Sequence, residues 1–323
     1  MSEADDLFIP YYSNFKPIGR YKWNSHGYRQ TISANWQTLF AVAKSRLPLK
    51  SHLPPVAAQL ARSQTLAGYY GARLSLDVSH LYVTQSLLPF LWRRGDLGGR
   101  SFTVLMTRLP LRELHQKLDL LSEQYPERKT FHEYRAPSWM VDAESEALEH
   151  ADQIITPHAS LARLFPPKTT LLEWKIPQLQ PASRGLNITF PGPSVARKGA
   201  CELREALQGL GHSLLVLNGQ AAEFAHFWDG IQVVDQTEDW LSQTAVVVQP
   251  AFIENNPRSL LKALAAGIPV IATAECGIES HPLLTLVQAG DSKALQYAIQ
   301  KVIDTNSSSS FANAPLHASA APR

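Results

Sequence analysis

Between Gln249 and Thr273 a strand, a polar loop and a helix follow one another. Ala245–Val248 is wholly apolar, as a strand buried on both faces would be, and it runs out at Pro250. Glu254 lies in the loop. Asn256 is suited to cap a helix, Pro257 suits its first turn, and Gly267 with Pro269 beyond it suits its end. The N–H groups that open such a helix face the carboxyl end of a parallel sheet. Ligands bind there in α/β folds, and helix N-termini bind phosphate. The spacing therefore predicts a phosphate-bearing ligand beside Glu254, Asn255, Asn256, Pro257 and Ser259, with Arg258 as a cation in the first helical turn.

The elements that would hold this segment alternate. Leu186–Phe190, Leu214–Leu217, Ile231–Val234 and Ile268–Ala272 read as strands. Gly199–Leu210, Ser259–Ala266 and Asp291–Ile303 read as helices. Strand and helix in turn predict a parallel, doubly wound sheet. In the first half, Leu7–Tyr12, Leu81–Thr84, Ser101–Met106 and Gln153–Thr156 are strand candidates. Arg29–Ser45 and Asp142–His150 are helix candidates there, so a second α/β domain is expected.

The chain has 323 residues, room for about two domains at roughly 150 residues each. The expected boundaries are 1–176 for the first domain, 177–185 for a linker rich in proline and small residues, and 186–304 for the second. The serine run makes 305–323 a disordered tail. Composition is 45% hydrophobic and 18% charged, which excludes a largely disordered chain. Net charge is +2, which gives no bias toward nucleic acid. Residues 1–180 hold 21 Lys+Arg against 16 Asp+Glu, or +5, so an anionic acceptor or a membrane surface could face that half. Cys201 and Cys276 form no CxxC, so neither a cysteine zinc site nor a disulfide framework is expected. No secretory leader or membrane span is apparent, which reads as cytoplasmic.

The 249–273 segment resembles the retaining GT-B glycosyltransferases, family 4 in particular. There, Pro-Ser-x-x-Glu precedes a helix bearing a second Glu, and Ala-x-x-x-Gly-x-Pro-Val-Ile-Ala follows. Glu254, Pro257, Ala263, Gly267, Pro269 and Val270-Ile271-Ala272-Thr273 carry the match. Arg197-Lys198-Gly199 stands where the family has Lys-Gly, and Gly290-Asp291-Ser292-Lys293-Ala294-Leu295 where it has Gly-Asp-x-x-x-Leu. Ala151-Asp152 with Ile154-Ile155-Thr156-Pro157-His158 resembles the stretch before the family's hinge. The resemblance spans about 142–303. It implies two Rossmann-like, doubly wound domains facing a cleft. It further implies that Lys198 contacts a donor diphosphate and Glu254 the donor sugar, with Gly192, Arg197, Asn255 to Ser259 and Lys262 around them.

Some positions depart from that pattern. Lys262 stands where the second glutamate is expected, and a lysine cannot accept bonds from ribose hydroxyls. It could donate to a phosphate or an acidic sugar. Phe190-Pro191-Gly192-Pro193-Ser194 lacks the arginine that usually follows the glycine, and Arg258 is the substitute. The family's histidine after the Phe102–Met106 strand is replaced by Thr107-Arg108. His80, since Asp77-Val78-Ser79-His80 resembles the family's Asp-Val-Val-His strand end, and His26, in a loop that could face substrate, complete the acceptor-side candidates.

The resemblance implies a retaining glycosyltransferase that moves a sugar from a nucleotide-diphosphate sugar, with UDP favoured, to a glycan, lipid-linked or small acceptor. Cationic side chains and a helix N-terminus would replace a metal ion, so neither metal nor resident cofactor is expected. Expected partners are the donor, the acceptor and, through the basic half, the inner face of a membrane, with no nucleic acid. The departures leave two other readings: a non-catalytic GT-B-like scaffold, and an epimerase or phosphorylase on the same fold.

Overall fold

The computed structural model describes residues 5–11, 23–46, 55–133, 135–182, 185–219 and 221–312. Tyr12 of the first expected strand, Ser183 and Arg184 of the linker, and 313–323 of the expected tail lie outside these. By contact the chain forms two compact units. The first holds Met1–Met106, Pro110–Glu113 and Tyr134–Ile155, and the second holds Thr107–Leu109, Leu114–Glu133 and Thr156–Arg323.

The first unit begins with β1 (Asp6–Ile9) paired in parallel to β2 (Gln30–Ser33), followed by α1 (Asn35–Arg46) and α2 (Pro55–Gly71). The expected helix from Arg29 is therefore corrected at its start. Gln30–Ser33 pairs with Asp6–Ile9, and helix begins only at Asn35. Then come β3 (His80–Thr84), α3 (Leu88–Arg93) and β4 (Ser101–Leu105); α4 (Leu111–Gln124) and α5 (Lys129–His132) follow in sequence but, from Leu114 to Glu133, belong to the second unit, and α6 (Ser138–His150) and β5 (Gln153–Thr156) return to the first. β3, β4 and β5 lie side by side in parallel. Val83, Phe102, Val104 and Ile154 supply their buried face.

In the second unit α7 (Ala159–Ala162) and β6 (Thr169–Leu171) lead to β7 (Asn187–Phe190). After it come α8 (Ala200–Leu207), β8 (Leu214–Val216), β9 (Val233–Val234), β10 (Thr244–Gln249), α9 (Arg258–Ala265), β11 (Val270–Ala272), β12 (Leu284–Leu286) and α10 (Ser292–Ala312). The all-parallel sheet has the order β12-β11-β10-β7-β8-β9. The chain thus starts in the middle, builds outward one way, then returns and builds the other way. The topological switch point falls between β7 and β10, and the crevice at their carboxyl ends is where such sheets bind ligands. Alternation along β10 covers both faces. Val246 and Val248 join Ile188, Phe190, Leu203 and Ile299 on one side, while Val247 joins Leu260, Leu264 and Val270 on the other.

The last helix does not stop at Ile303. It continues to Ala312, into the stretch expected as a tail, because no glycine or proline interrupts it before Pro315. Among the described residues no helix is long and apolar enough to cross a membrane.

Candidate functional site

Two loops meet at the switch point of the second unit. The first leaves β7 through Gly192, whose φ of +53° is left-handed. It makes a turn of 3-10 helix at Ala196–Lys198 and enters α8 through Gly199 (φ +76°). A Cβ on Gly199 would fall 2.0 Å from the carbonyl oxygen of Pro250. Only glycine lets the two loops pass this closely. The second loop leaves β10 and is tied to the first where the N–H groups of Phe252 and Ile253 both donate to Arg197 O at 3.1 Å.

This crossing brings Lys198 to Glu254. Lys198 Nζ donates to Glu254 Oε2 at 2.9 Å and to Ile253 O at 3.1 Å, and each of the two side chains is 12% exposed. Glu254 Oε1 accepts the N–H groups of Asn255 and Asn256, both at 2.9 Å. Burial alone would raise the Glu254 carboxyl. The Lys198 charge and the N–H groups of Asn256 and Asn255 outweigh it, so the carboxyl is held below its ordinary value. Burial pushes the Lys198 ammonium down, and Glu254 offsets this only in part. An ammonium has three N–H bonds. Two are used here, which leaves one.

The expected cap is corrected. Asn256 does not cap α9: its carbonyl accepts the Arg258 N–H at 2.8 Å, Pro257 is the residue before the helix, and no side chain caps it. The backbone N–H of Asn256 is itself held by Glu254 Oε1. Ser259 and Leu260 lie in the first turn, where helical donors lack partners within the helix. Arg258 and Lys262 are exposed one turn apart on α9.

Beneath Glu254 lies His158, 3% exposed. Its Nε2–H donates to Glu254 O at 2.9 Å, and burial pushes its imidazole below the ordinary value. Gly277 (φ +71°) packs on the ring, where a Cβ would fall 2.3 Å from His158 Cγ.

A third support comes from earlier in the chain. Glu223, 5% exposed, accepts the Thr130 N–H at 3.0 Å, the Thr130 hydroxyl at 2.9 Å and the Ala196 N–H at 2.8 Å. The Arg197 N–H donates to Thr130 Oγ1 at 3.3 Å. Arg128 pairs with the buried Glu202 at 2.6 Å, and Leu118, Leu121 and Phe131 pack on Phe252 and Ile253. Sequence reading missed all of this. Leu114, Leu118 and Leu121 carry a helical spacing that was there to be read. The buried Glu202 and Glu223 carry no local signal.

Beside the site is a cavity of about 450 Å³ at the carboxyl ends of β8 and β9. Ser194, Val216, Trp228, Val234 and Asp235 line it, and the Trp228 indole N–H donates to Ser194 Oγ at 2.8 Å. It too was not foreseen.

The acceptor-side candidates are not brought together. His26 is exposed in a turn near the start of the chain. His80 is corrected from the end of a strand to its beginning. It opens β3 opposite Ser101, the first residue of β4, and bonds Ser101 Oγ at 2.6 Å and Thr103 Oγ1 at 3.0 Å. That edge is opposite to the one where parallel sheets bind ligands. Thr107 is exposed and Arg108 half-buried just past the carboxyl end of β4. Among the described residues no cluster of His, Cys, Asp or Glu is arranged to hold a metal ion. Cys201 and Cys276 are free, with burial raising their thiols to about 11 and about 12.

The topology and this site define an α/β protein of the GT-B fold, with parallel sheets in two Rossmann-like domains. Residues 187–305 match the family model described as glycosyl transferases group 1. Among solved structures the chain is similar to a sucrose-phosphate synthase from Thermosynechococcus elongatus, with TM-score 0.61, 19% identity and coverage of 94% of this chain and 80% of that one. It is also similar to Anabaena HepE in complex with UDP, with TM-score 0.55, 12% identity and coverage of 94% and 91%. The lipopolysaccharide outer core galactosyltransferase WaaB gives TM-score 0.52, 11% identity and the same two coverages, 94% and 91%. No curated protein matches the sequence.

Proposed function

We propose that the chain is a retaining glycosyltransferase that takes its sugar from a nucleotide-diphosphate donor, with a UDP sugar favoured. The buried Lys198–Glu254 pair at the switch point carries the reading. The remaining Lys198 N–H, Arg197, Arg258 and the first-turn N–H groups of α9 supply positive charge to the diphosphate as the bond to the sugar breaks. Glu254 retains acceptor capacity for the sugar's hydroxyls and orients it. The cavity lined by Trp228 and Asp235 is the right size and place for the nucleoside. The bond from the sugar carbon to the diphosphate breaks, the acceptor oxygen bonds to that carbon with retention, and the hydroxyl proton passes to the departing diphosphate. A glycan, a lipid-linked saccharide or a small molecule could supply that hydroxyl.

The UDP complex of HepE supports the donor class, since that protein shares the fold. Mg²⁺ is not required in this reading, so transfer should survive EDTA. The test is product formation from labelled UDP sugars across an acceptor panel. Glu254→Gln is expected to abolish transfer in a folded protein, and undiminished transfer in that variant would remove Glu254 from the mechanism. Exposed Lys262, which cannot hold ribose as a glutamate would, favours a second reading as a binding subunit. Tight nucleotide binding without turnover would select it.

A further inference from the structure

We infer that α1 of the first unit docks on an anionic membrane surface through Trp36, Leu39 and Phe40. Helix α1 is anchored through Thr38, which is buried next to the buried Ala34 that precedes the helix, and the Thr38 hydroxyl donates to Pro10 O. Its other side carries large apolar side chains into solvent. Trp36 is 71% exposed, Phe40 70% and Leu39 46%. Positions 36, 39 and 40 are one helical stripe, and the Trp36 and Phe40 rings stand 6.3 Å apart. Lys44 and Arg46 follow in the last turn.

The sequence on both sides of this stripe is one-sided in charge. From Leu7 to Leu76 the sequence has nine Lys+Arg and no Asp or Glu. Among the described residues of the stretch, Arg29 is paired with an acid outside it, Asp6, at 2.8 Å. A helix with aromatic and leucine side chains on one face, set in an acid-free basic segment, matches the boundary of an anionic bilayer. The rings enter among the headgroups and the cations meet lipid phosphates. A protein groove would bury the same rings but would not call for seventy residues without a carboxylate. The inference rests on the proposed function in one respect: it narrows the acceptor to a lipid-linked one.

The test is cosedimentation of the full chain with phosphatidylcholine vesicles and with vesicles that also contain phosphatidylglycerol, at low and high salt. Binding to the anionic vesicles alone is expected, with loss at high salt. Trp36→Ser/Phe40→Ser should weaken it at least about tenfold, since binding follows the apolar area inserted. Both side chains are exposed, so melting temperature and UDP titration should match the parent. Lys44→Glu/Arg46→Glu should weaken binding similarly without touching the rings. Absence of binding to either vesicle would overturn the inference. So would binding unchanged in the Trp36/Phe40 variant, displacement by inorganic phosphate alone, or retention of a protein or RNA in place of lipid. UDP binding in the same samples is independent of these outcomes, so failure here and failure of the donor site are distinguishable.

Discussion

Lys198 and Glu254 are each costly to bury alone and tolerable together. Removing one charge leaves the other without a partner in a nearly dry place, at a cost of about 3–5 kcal/mol. Lys198→Met should therefore lower unfolding free energy by about 3 kcal/mol, and Lys198→Met/Glu254→Gln should recover part of that. Urea titration of the parent, Lys198→Met, Glu254→Gln and the double variant measures it, and additivity of the two changes would contradict the pairing. The sign of the pH effect follows from the Glu254 carboxyl, which is held below its unfolded value. Its contribution is present above the ordinary carboxylate range and is lost as pH falls through the lowered folded value. The melting temperature of the parent should drop more steeply in acid than that of Glu254→Gln. Because burial lowers Lys198, nucleotide affinity should fade on the alkaline side before the ordinary lysine range is reached. Lys262→Glu discriminates donor chemistry. Tighter nucleotide binding would mean that the glutamate restores a ribose contact, and weaker binding would mean that Lys262 reads an anionic donor group.

At the scale of elements, the loops are legible where glycine or proline punctuates them. Gly199 marked the start of α8, and Gly267 with Pro269 the end of α9, to within a residue or two, because backbone geometry depends on those residue types directly; the end of α8 falls at Leu207, three residues before the expected Leu210. Asn256 misled because capping preference is a local signal, and the chain enters α9 one residue later, at Pro257, with no side chain capping it. His80 misled because a motif gives no strand register, and pairing with Ser101 set it. The crossing of the two loops yields a sharp prediction. Gly199→Ala and Gly277→Ala each combine a left-handed φ with a Cβ inside occupied space, against Pro250 and against His158. Each should cost about 2 kcal/mol or more, seen as a lower melting temperature. Gly209→Ala, also left-handed but with open space around it, should cost less. Equal losses would show that the close approach is not what requires glycine.

For the whole molecule, the second half of the sequence disclosed its own sheet, since strands and helices that are neighbours in sequence pack together there. It could not disclose that Leu114–Glu133 belongs to the same compact unit. Contacts such as Arg128 to Glu202 and Thr130 to Glu223 join residues more than seventy positions apart. A chain cut at residue 186 would expose Phe252 and leave Glu202 and Glu223 without their partners. It should melt lower than the full chain or aggregate, as calorimetry and light scattering would show. A stable, nucleotide-binding fragment would mean that the earlier segment is dispensable.

The central claim is a nucleoside-diphosphate site at the β7–β10 switch point built on Lys198 and Glu254. Calorimetric titration of the full chain and of Lys198→Ala with UDP, GDP, ADP, CMP and dTDP tests it most directly. Micromolar binding of one diphosphate, UDP first among them, and its loss in Lys198→Ala is the expected result. Binding of none by a folded parent chain, or binding unaffected by Lys198→Ala, would contradict it.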